Sequence, residues 1–147
     1  MKLGIVSDHR GYDLKKEIIE KAQNVEIEDY GTFSTESTDY PDYAFLLGKN
    51  IVSGKVDMGI AICGSGIGIS IACNKVKGIR CGKVDSKEDV YLTRNDNDAN
   101  VIAFKGDTPI EKALEYVDTF INTPFSDLEK HHRRVNKIKE YEVNNER

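Results

Sequence analysis

The sequence has no surplus of positive charge. Its 147 residues carry 21 lysines and arginines against 25 aspartates and glutamates, a formal net charge of -4, so no global basic field is offered to nucleic acid or to an anionic membrane. It has no long apolar run either. The opening stretch MKLGIVSDHRG reaches charged residues after a few apolar ones, which fits neither a signal peptide nor a membrane span and makes the cytoplasm the expected compartment. Cysteine is scarce: three residues, none in a CxxC spacing, which predicts reduced thiols rather than a disulfide framework or a zinc site. Repeats, low-complexity tracts and evident linkers are absent. With 39% hydrophobic and 31% charged residues, the chain has the balance of one ordinary domain, spanning 1–147 and large enough for a proper core.

What is present alternates between strand and helix signals. Lys2 to Ser7 reads as a first buried strand, followed by the polar turn Asp8-His9-Arg10-Gly11. Tyr12 to Gln23 places Leu14, Ile18, Ile19 and Ala22 on one helical stripe with lysines and glutamates opposite, and Val25 to Ile27 opens a second strand. After a polar loop in which Pro41 restrains Tyr40 to an extended backbone, a helix is expected from about Tyr43 to Ser53. Met58 to Ile62 is a third strand, Ile79 to Val84 a fourth and Asn100 to Phe104 a fifth. The helix after the third strand is read from Ser70 to about Lys77. Asp85 or Ser86 caps a helix running to about Arg94. Thr108-Pro109-Ile110-Glu111 has the spacing of a capped helix start. Ser126 to about Tyr141 forms a basic helical tail with little reason to fold back on its own domain. Five strands alternating with helices predict an α/β fold with a parallel sheet covered on both faces.

The centre of the chain is Cys63-Gly64-Ser65-Gly66-Ile67-Gly68. Three glycines in five residues allow a tight turn whose N–H groups point at one spot, just before a helix N-terminus, and Cys63 stands at its lip. A lone cysteine after a buried strand also reads as a small core residue. Its position at the C-terminal end of a parallel strand, beside helix-terminal N–H groups, is where a reactive thiol is expected. Cys73 and Cys81 read as packing. The glycine turn also invites a dinucleotide reading, but G-x-G-x-G with Ile69 next, after the third strand, falls short of that fingerprint, and no Gly-Lys-Ser/Thr follows for a P-loop. Asp8 and His9 either face water or hold sugar hydroxyls and phosphate. Lys130-His131-His132-Arg133-Arg134 is either a solvated helix face or a phosphate clamp.

The stretches SDHRG, DYPDYA, ICGSGIGISIACNKVKGIRC, NDNDANVIAF and KHHRRVNKI strongly resemble the family of ribose-5-phosphate isomerase B and galactose-6-phosphate isomerase, over almost the whole chain. The resemblance implies a Rossmann-like α/β/α sandwich and a homodimer or dimer of dimers with active sites shared between subunits. It implies a small-molecule sugar phosphate as substrate and neither metal nor organic cofactor. It further implies that Cys63 acts as base through a cis-enediolate, Ser65 relays protons, and the backbone of Gly64, Gly66, Ile67 and Gly68 holds the oxyanion. Asp8, His9 and Tyr40 would line the sugar, with Asn97 reaching it from the partner subunit. His9, His131 and Arg134 would bind phosphate, with Lys130 at a position the family often fills with arginine. Two positions depart from the pattern: Asp96 stands where a ring-opening histidine is usual, and Asp107 where a neighbouring subunit's arginine commonly meets phosphate. Ribose 5-phosphate, galactose 6-phosphate and a tetrose 4-phosphate all stay open as substrates, as does a sugar-phosphate-binding protein without efficient turnover.

Overall fold

A computed structural model describes residues 1–145, so Glu146 and Arg147 of the expected 1–147 domain lie outside the described residues. Five strands, β1 (Lys2–Ser7), β2 (Glu26–Asp29), β3 (Met58–Cys63), β4 (Cys81–Lys83) and β5 (Val101–Lys105), form one parallel sheet in the order β2-β1-β3-β5-β4. Helices α1 (Tyr12–Lys21), α2 (Tyr40–Val52), α3 (Ile67–Cys73), α4 (Lys87–Asn97), α5 (Ile110–Asn122) and α6 (Glu129–Asn144) complete the Rossmann-like sandwich.

Strand alternation divides the core. Leu3, Ile5, Ile60, Ile62, Ile102 and Phe104 point to one face, where Leu14 and Ile18 of α1, Val90 of α4, and Tyr116 and Phe120 of α5 meet them. Phe104 takes Tyr116 edge-on at 5.5 Å between ring centres. Val6, Ala61, Cys63 and Ala103 point to the other face, under Ala44 and Leu47 of α2 and Ile69, Ala72 and Cys73 of α3. Cys63 thus ends its strand on the α2/α3 side.

Several local expectations shift. α2 starts at Tyr40, with Pro41 inside the first turn where its missing N–H is not needed; Tyr40 is therefore a helix-opening residue, not an extended one. α3 begins at Ile67, three residues early, because Gly66 already supplies the turn. Ser86 is the cap of α4, its Oγ accepting from Asp89 N at 3.1 Å. That helix runs on through Asn95, Asp96 and Asn97, which the sequence placed beyond it. Thr108 does not cap α5; its hydroxyl donates to Lys105 O at 2.7 Å, and the helix opens at Ile110. Lys15, expected on the solvent side of α1, is wholly buried with Nζ 2.6 and 2.7 Å from the carboxylate of Asp29, which also accepts from Gly31 N at 2.9 Å. A cation at that depth is tolerated because its charge is matched and hydrogen-bonded there. The basic tail does fold back: α6 packs on α4, burying His131 and Val135, and Glu142 accepts from Gly78 N at 3.0 Å.

The outer edge of the sheet is held by a side chain. Just past α3, Asn74 Nδ2 donates to Cys81 O at 2.9 Å and its Oδ1 accepts from Cys81 N at 2.8 Å.

Candidate active site

In a parallel sheet, successive crossovers leave a crevice where the chain reverses its direction of travel across the sheet, and here that point falls between β1 and β3. Ser7 pairs with Ile62, Asp8 N donates to Ile62 O at 3.1 Å, and Gly106 N donates to Cys63 O at 2.9 Å. The loops after β1, β3 and β5 therefore meet at one sheet edge.

Cys63 lies at the base of this edge, and its Sγ accepts the N–H of Gly66 at 3.2 Å. Such a bond is charge-assisted when the sulfur is a thiolate. Ser65 is exposed; its Oγ accepts from Ile67 N at 3.1 Å, leaving the hydroxyl proton free to donate. Gly66 has φ +77, and a Cβ there would stand 2.8 Å from the carbonyl carbon of Phe104, so both conformation and space require glycine. Tyr40 closes the far side of the turn, its ring Cζ 2.7 Å from where a Cβ of Gly68 would be. Gly64, Gly66, Ile67 and Gly68 thus form one turn with Cys63, Ser65 and Tyr40 around it.

Asp8 and His9 reach the same edge. Asp8 Oδ1 is spent on its own loop, accepting from Arg10 N at 2.9 Å and Gly11 N at 3.1 Å, while Oδ2 has no hydrogen bond among the described residues. His9 Nδ1 accepts from Thr38 N at 3.2 Å. An N–H pointed at Nδ1 puts the proton of the neutral ring on Nε2, an assignment made from the hydrogen-bond network. The loop after β2 thereby turns His9 into a donor.

The remaining candidates lie elsewhere in the same chain. Asp96 and Asn97 end α4, which leads into the start of β5 at Val101, whereas Cys63 pairs with Lys105 at the strand's other end. Four residue steps of parallel strand span roughly 13 Å, so one chain does not bring the two sets together. Around α4 and α6, Asp96 Oδ1 accepts from Asn95 Nδ2 at 2.8 Å and stands 3.7 Å from His131 Nε2, a charge contact longer than a hydrogen bond. His131 is buried with Nδ1 unpartnered, while Lys130 and Arg134 are exposed. Asp98, in contrast, is gripped by Arg80 at 3.3 Å and Arg94 at 3.0 Å, which balance its charge. A cavity of about 690 Å³ opens beside this corner, lined in part by Arg80, Cys81, Thr93, Asn97, Ile138 and Tyr141.

Cys73 is buried, and a hydrogen bond with Cys81 together with burial pushes its thiol far up from the ordinary range, consistent with packing rather than chemistry. Among the described residues no group of three or more His, Cys, Asp or Glu is placed to hold a metal ion, and no helix is long and apolar enough to cross a membrane.

A thiol and a nest of backbone donors at the switch point of a parallel sheet mark a candidate α/β enzyme site of the kind that suits an anion. The comparisons name the family. The pattern described as Ribose/Galactose Isomerase matches residues 3–138. Among curated relatives, YwlF of Bacillus subtilis is 43% identical over 99% of both chains. Ribose-5-phosphate isomerase B of Escherichia coli is 40% identical over 93% of both. Among solved structures, ribose-5-phosphate isomerase B of Clostridium thermocellum superposes with TM-score 0.93 at 43% identity, covering 98% of this chain and 99% of that one. The Mycoplasma genitalium enzyme with bound ribulose 5-phosphate gives TM-score 0.88 at 35% identity, covering 97% and 96%. The chain belongs to the ribose/galactose isomerase family of aldose–ketose isomerases.

Proposed function

We propose that the chain interconverts ribose 5-phosphate and ribulose 5-phosphate in the cytoplasm without a cofactor. Cys63 as thiolate takes the proton from C2 of the open-chain aldose, the C2–H electron pair forms the enediolate double bond, and the carbonyl oxygen at C1 becomes anionic. The thiol then returns a proton to C1 as the C2 oxygen becomes the ketone. Ser65, with its hydroxyl proton free, carries the proton between the two oxygens. The N–H groups of the Gly64–Gly68 turn stabilise the oxyanion, an interaction often worth ~3 kcal/mol per donor. The observation that carries this reading is the Cys63 sulfur set on the Gly66 N–H at the mouth of that turn. His9, Asp8 and Tyr40 hold the sugar and phosphate from the same side.

The second half of the site comes from a second copy of the chain. Asn97, His131, Arg134 and Lys130 are too far from their own Cys63, yet they offer an unpartnered imidazole nitrogen and exposed cations with no strong internal role. A homodimer or dimer of dimers that sets this corner over the partner's glycine turn makes a complete site with phosphate clamp. Galactose 6-phosphate and a tetrose 4-phosphate are the alternative substrates that the same chemistry accepts.

An aldose-to-ketose assay over four-, five- and six-carbon phosphates tests the substrate, with turnover of ribose 5-phosphate expected. Cys63→Ala should leave the fold intact and cut turnover by ~10²-fold or more, and solvent deuterium should enter the product. An active Cys63→Ala enzyme, or binding of the whole panel without turnover, overturns the proposal.

A further inference from the structure

Arg10 lies where the three loops of the sheet edge converge, and neighbouring residues give way to it on both sides. A Cβ on Gly64 would stand 2.5 Å from Arg10 Nη1 and 2.6 Å from Nε, with Cζ as near. Three guanidinium atoms at nearly equal distance from one point mean that the group lies face-on over Gly64. On the other side, the Arg10 carbonyl oxygen fills the space a Cβ of Gly106 would need. The main chain is pinned as well, since Arg10 N donates to the buried Asp8 carboxylate at 2.9 Å. The side chain is exposed and lies against the Gly64 backbone, and its donors are not spent: among the described residues no carboxylate or carbonyl pairs with the guanidinium. Around it the N–H groups of Ser65 and Gly68 likewise have no protein acceptor among the described residues. Backbone and guanidinium donors converge on this spot, and the acceptors at the same edge are the Cys63 sulfur, the Ser65 hydroxyl and the Asp8 carboxylate.

The position decides which anion the guanidinium meets. It covers the residue directly after Cys63, and the carbon that loses its proton must come within about 3.5 Å of the sulfur. The phosphate of a five-carbon substrate sits several bonds further along. We propose that Arg10 is a catalytic residue: its guanidinium, seated on Gly64 beside Cys63, donates to the substrate oxygen that becomes anionic when the proton leaves the carbon. This rests on the isomerase reading and adds to it a cation from the same chain as the thiol. Preorganised positive charge at developing negative charge lowers the barrier because no dipole has to turn at the moment of reaction.

Arg10→Met keeps the packing and removes the charge. It should lower kcat by about 10²-fold, the range for one lost oxyanion donor, with KM changed by less than about twofold, since the interaction is made chiefly in the transition state. Arg10→Lys should recover part of the loss. A KM that rises while kcat holds would assign the guanidinium to phosphate instead, and unchanged constants would make it a solvated side chain; either result overturns the proposal. A second readout does not need turnover. The ratio of Cys63 alkylation rates by iodoacetate and by iodoacetamide, read on the Cys63 peptide by mass spectrometry, cancels the thiolate fraction and reports local charge. Arg10→Met should lower that ratio by about threefold or more. If wild-type protein turns over no sugar phosphate, the isomerase reading has failed, and an unchanged ratio then refutes the placement of the cation beside the thiol separately.

Discussion

The glycine turn after β3 and the corner between α4 and α6 are both rich in groups that bind anions, and they are built in opposite ways. At the turn, the donors are backbone N–H groups joined by one guanidinium, fixed in place by close contacts with the main chain, and each glycine is bare because something presses on it: Arg10 at Gly64, the Phe104 backbone at Gly66, Tyr40 at Gly68. At the corner, the anion-binding groups are long side chains on helices, His131 Nδ1 is buried and unpartnered, and Arg134 is exposed. The first region is finished within one chain; the second has the properties of half a site. Stored, unsatisfied polarity points to what a subunit expects from its surroundings.

The strongest test of that contrast mixes two crippled subunits. Cys63→Ala removes the base from the turn, and the double variant His131→Ala, Arg134→Ala removes the anion-binding side chains from the corner. Each alone should be nearly inactive at substrate below KM. Random reassociation of equal amounts should restore about a quarter of wild-type activity, because half the dimers are mixed and each has one intact composite site. No recovery, or an active monomer in sedimentation, would place both halves in one chain. Next in size is Gly66→Ala. With φ +77 and no room beside Phe104, it should cost about 1–3 kcal/mol of stability and disable the thiol's N–H partner, whereas alanine at exposed Lys130 should leave thermal unfolding unchanged.

Asp96 probes the corner more gently. An imidazole carries an N–H donor in each of its forms and can hand a proton to a ring oxygen, whereas a carboxylate offers acceptors only unless it is protonated; the neighbouring Asp98 is occupied by Arg80 and Arg94. Asp96→His should therefore speed turnover of cyclic ribose 5-phosphate by about tenfold and scarcely change an acyclic tetrose phosphate. Equal effects on both would remove ring opening from this residue. The smallest effect concerns Cys73. Its thiol is held protonated in the fold while an unfolded thiol ionises near 8.5, so stability is intact below about pH 8.5 and falls as pH rises beyond it. Cys73→Ala should cost about 1–2 kcal/mol at neutral pH and flatten that alkaline decline in urea titrations.

The turn was legible in the sequence because its causes are local: a short apolar strand, a thiol and three glycines follow one another within eleven residues. The strands were legible for the same reason. Helix ends were less so. Tyr40 and Ile67 joined helices early because proline and glycine at those points open a helix as readily as they end one, and Asp96 and Asn97 belong to α4 because that helix stops only at Asp98, which takes the left-handed conformation at its end. Lys15 read as surface because nothing in its own helix shows that Asp29 waits beneath it. Arg10 passed as one more polar residue of a turn. Its signal is the meeting of three loops from three strands, which no local pattern holds; in hindsight only Gly64 and Gly106, bare for the same neighbour, carried a trace of it. The separation of Asp96 from Cys63 is a property of topology and became visible only when the strand order was known.

One small arrangement has a reach beyond the site. The side chain of Asn74 offers Cys81 one donor and one acceptor, spaced like those of a neighbouring strand. β4 is a margin of the sheet and only three residues long, and at its first position the place of a next strand is already taken. A visiting chain that tried to extend the sheet there would have to evict an amide and leave two polar groups of its host unpaired. The protein thereby carries a one-residue imitation strand that declines polymerisation, using a residue whose only other task is to end a helix.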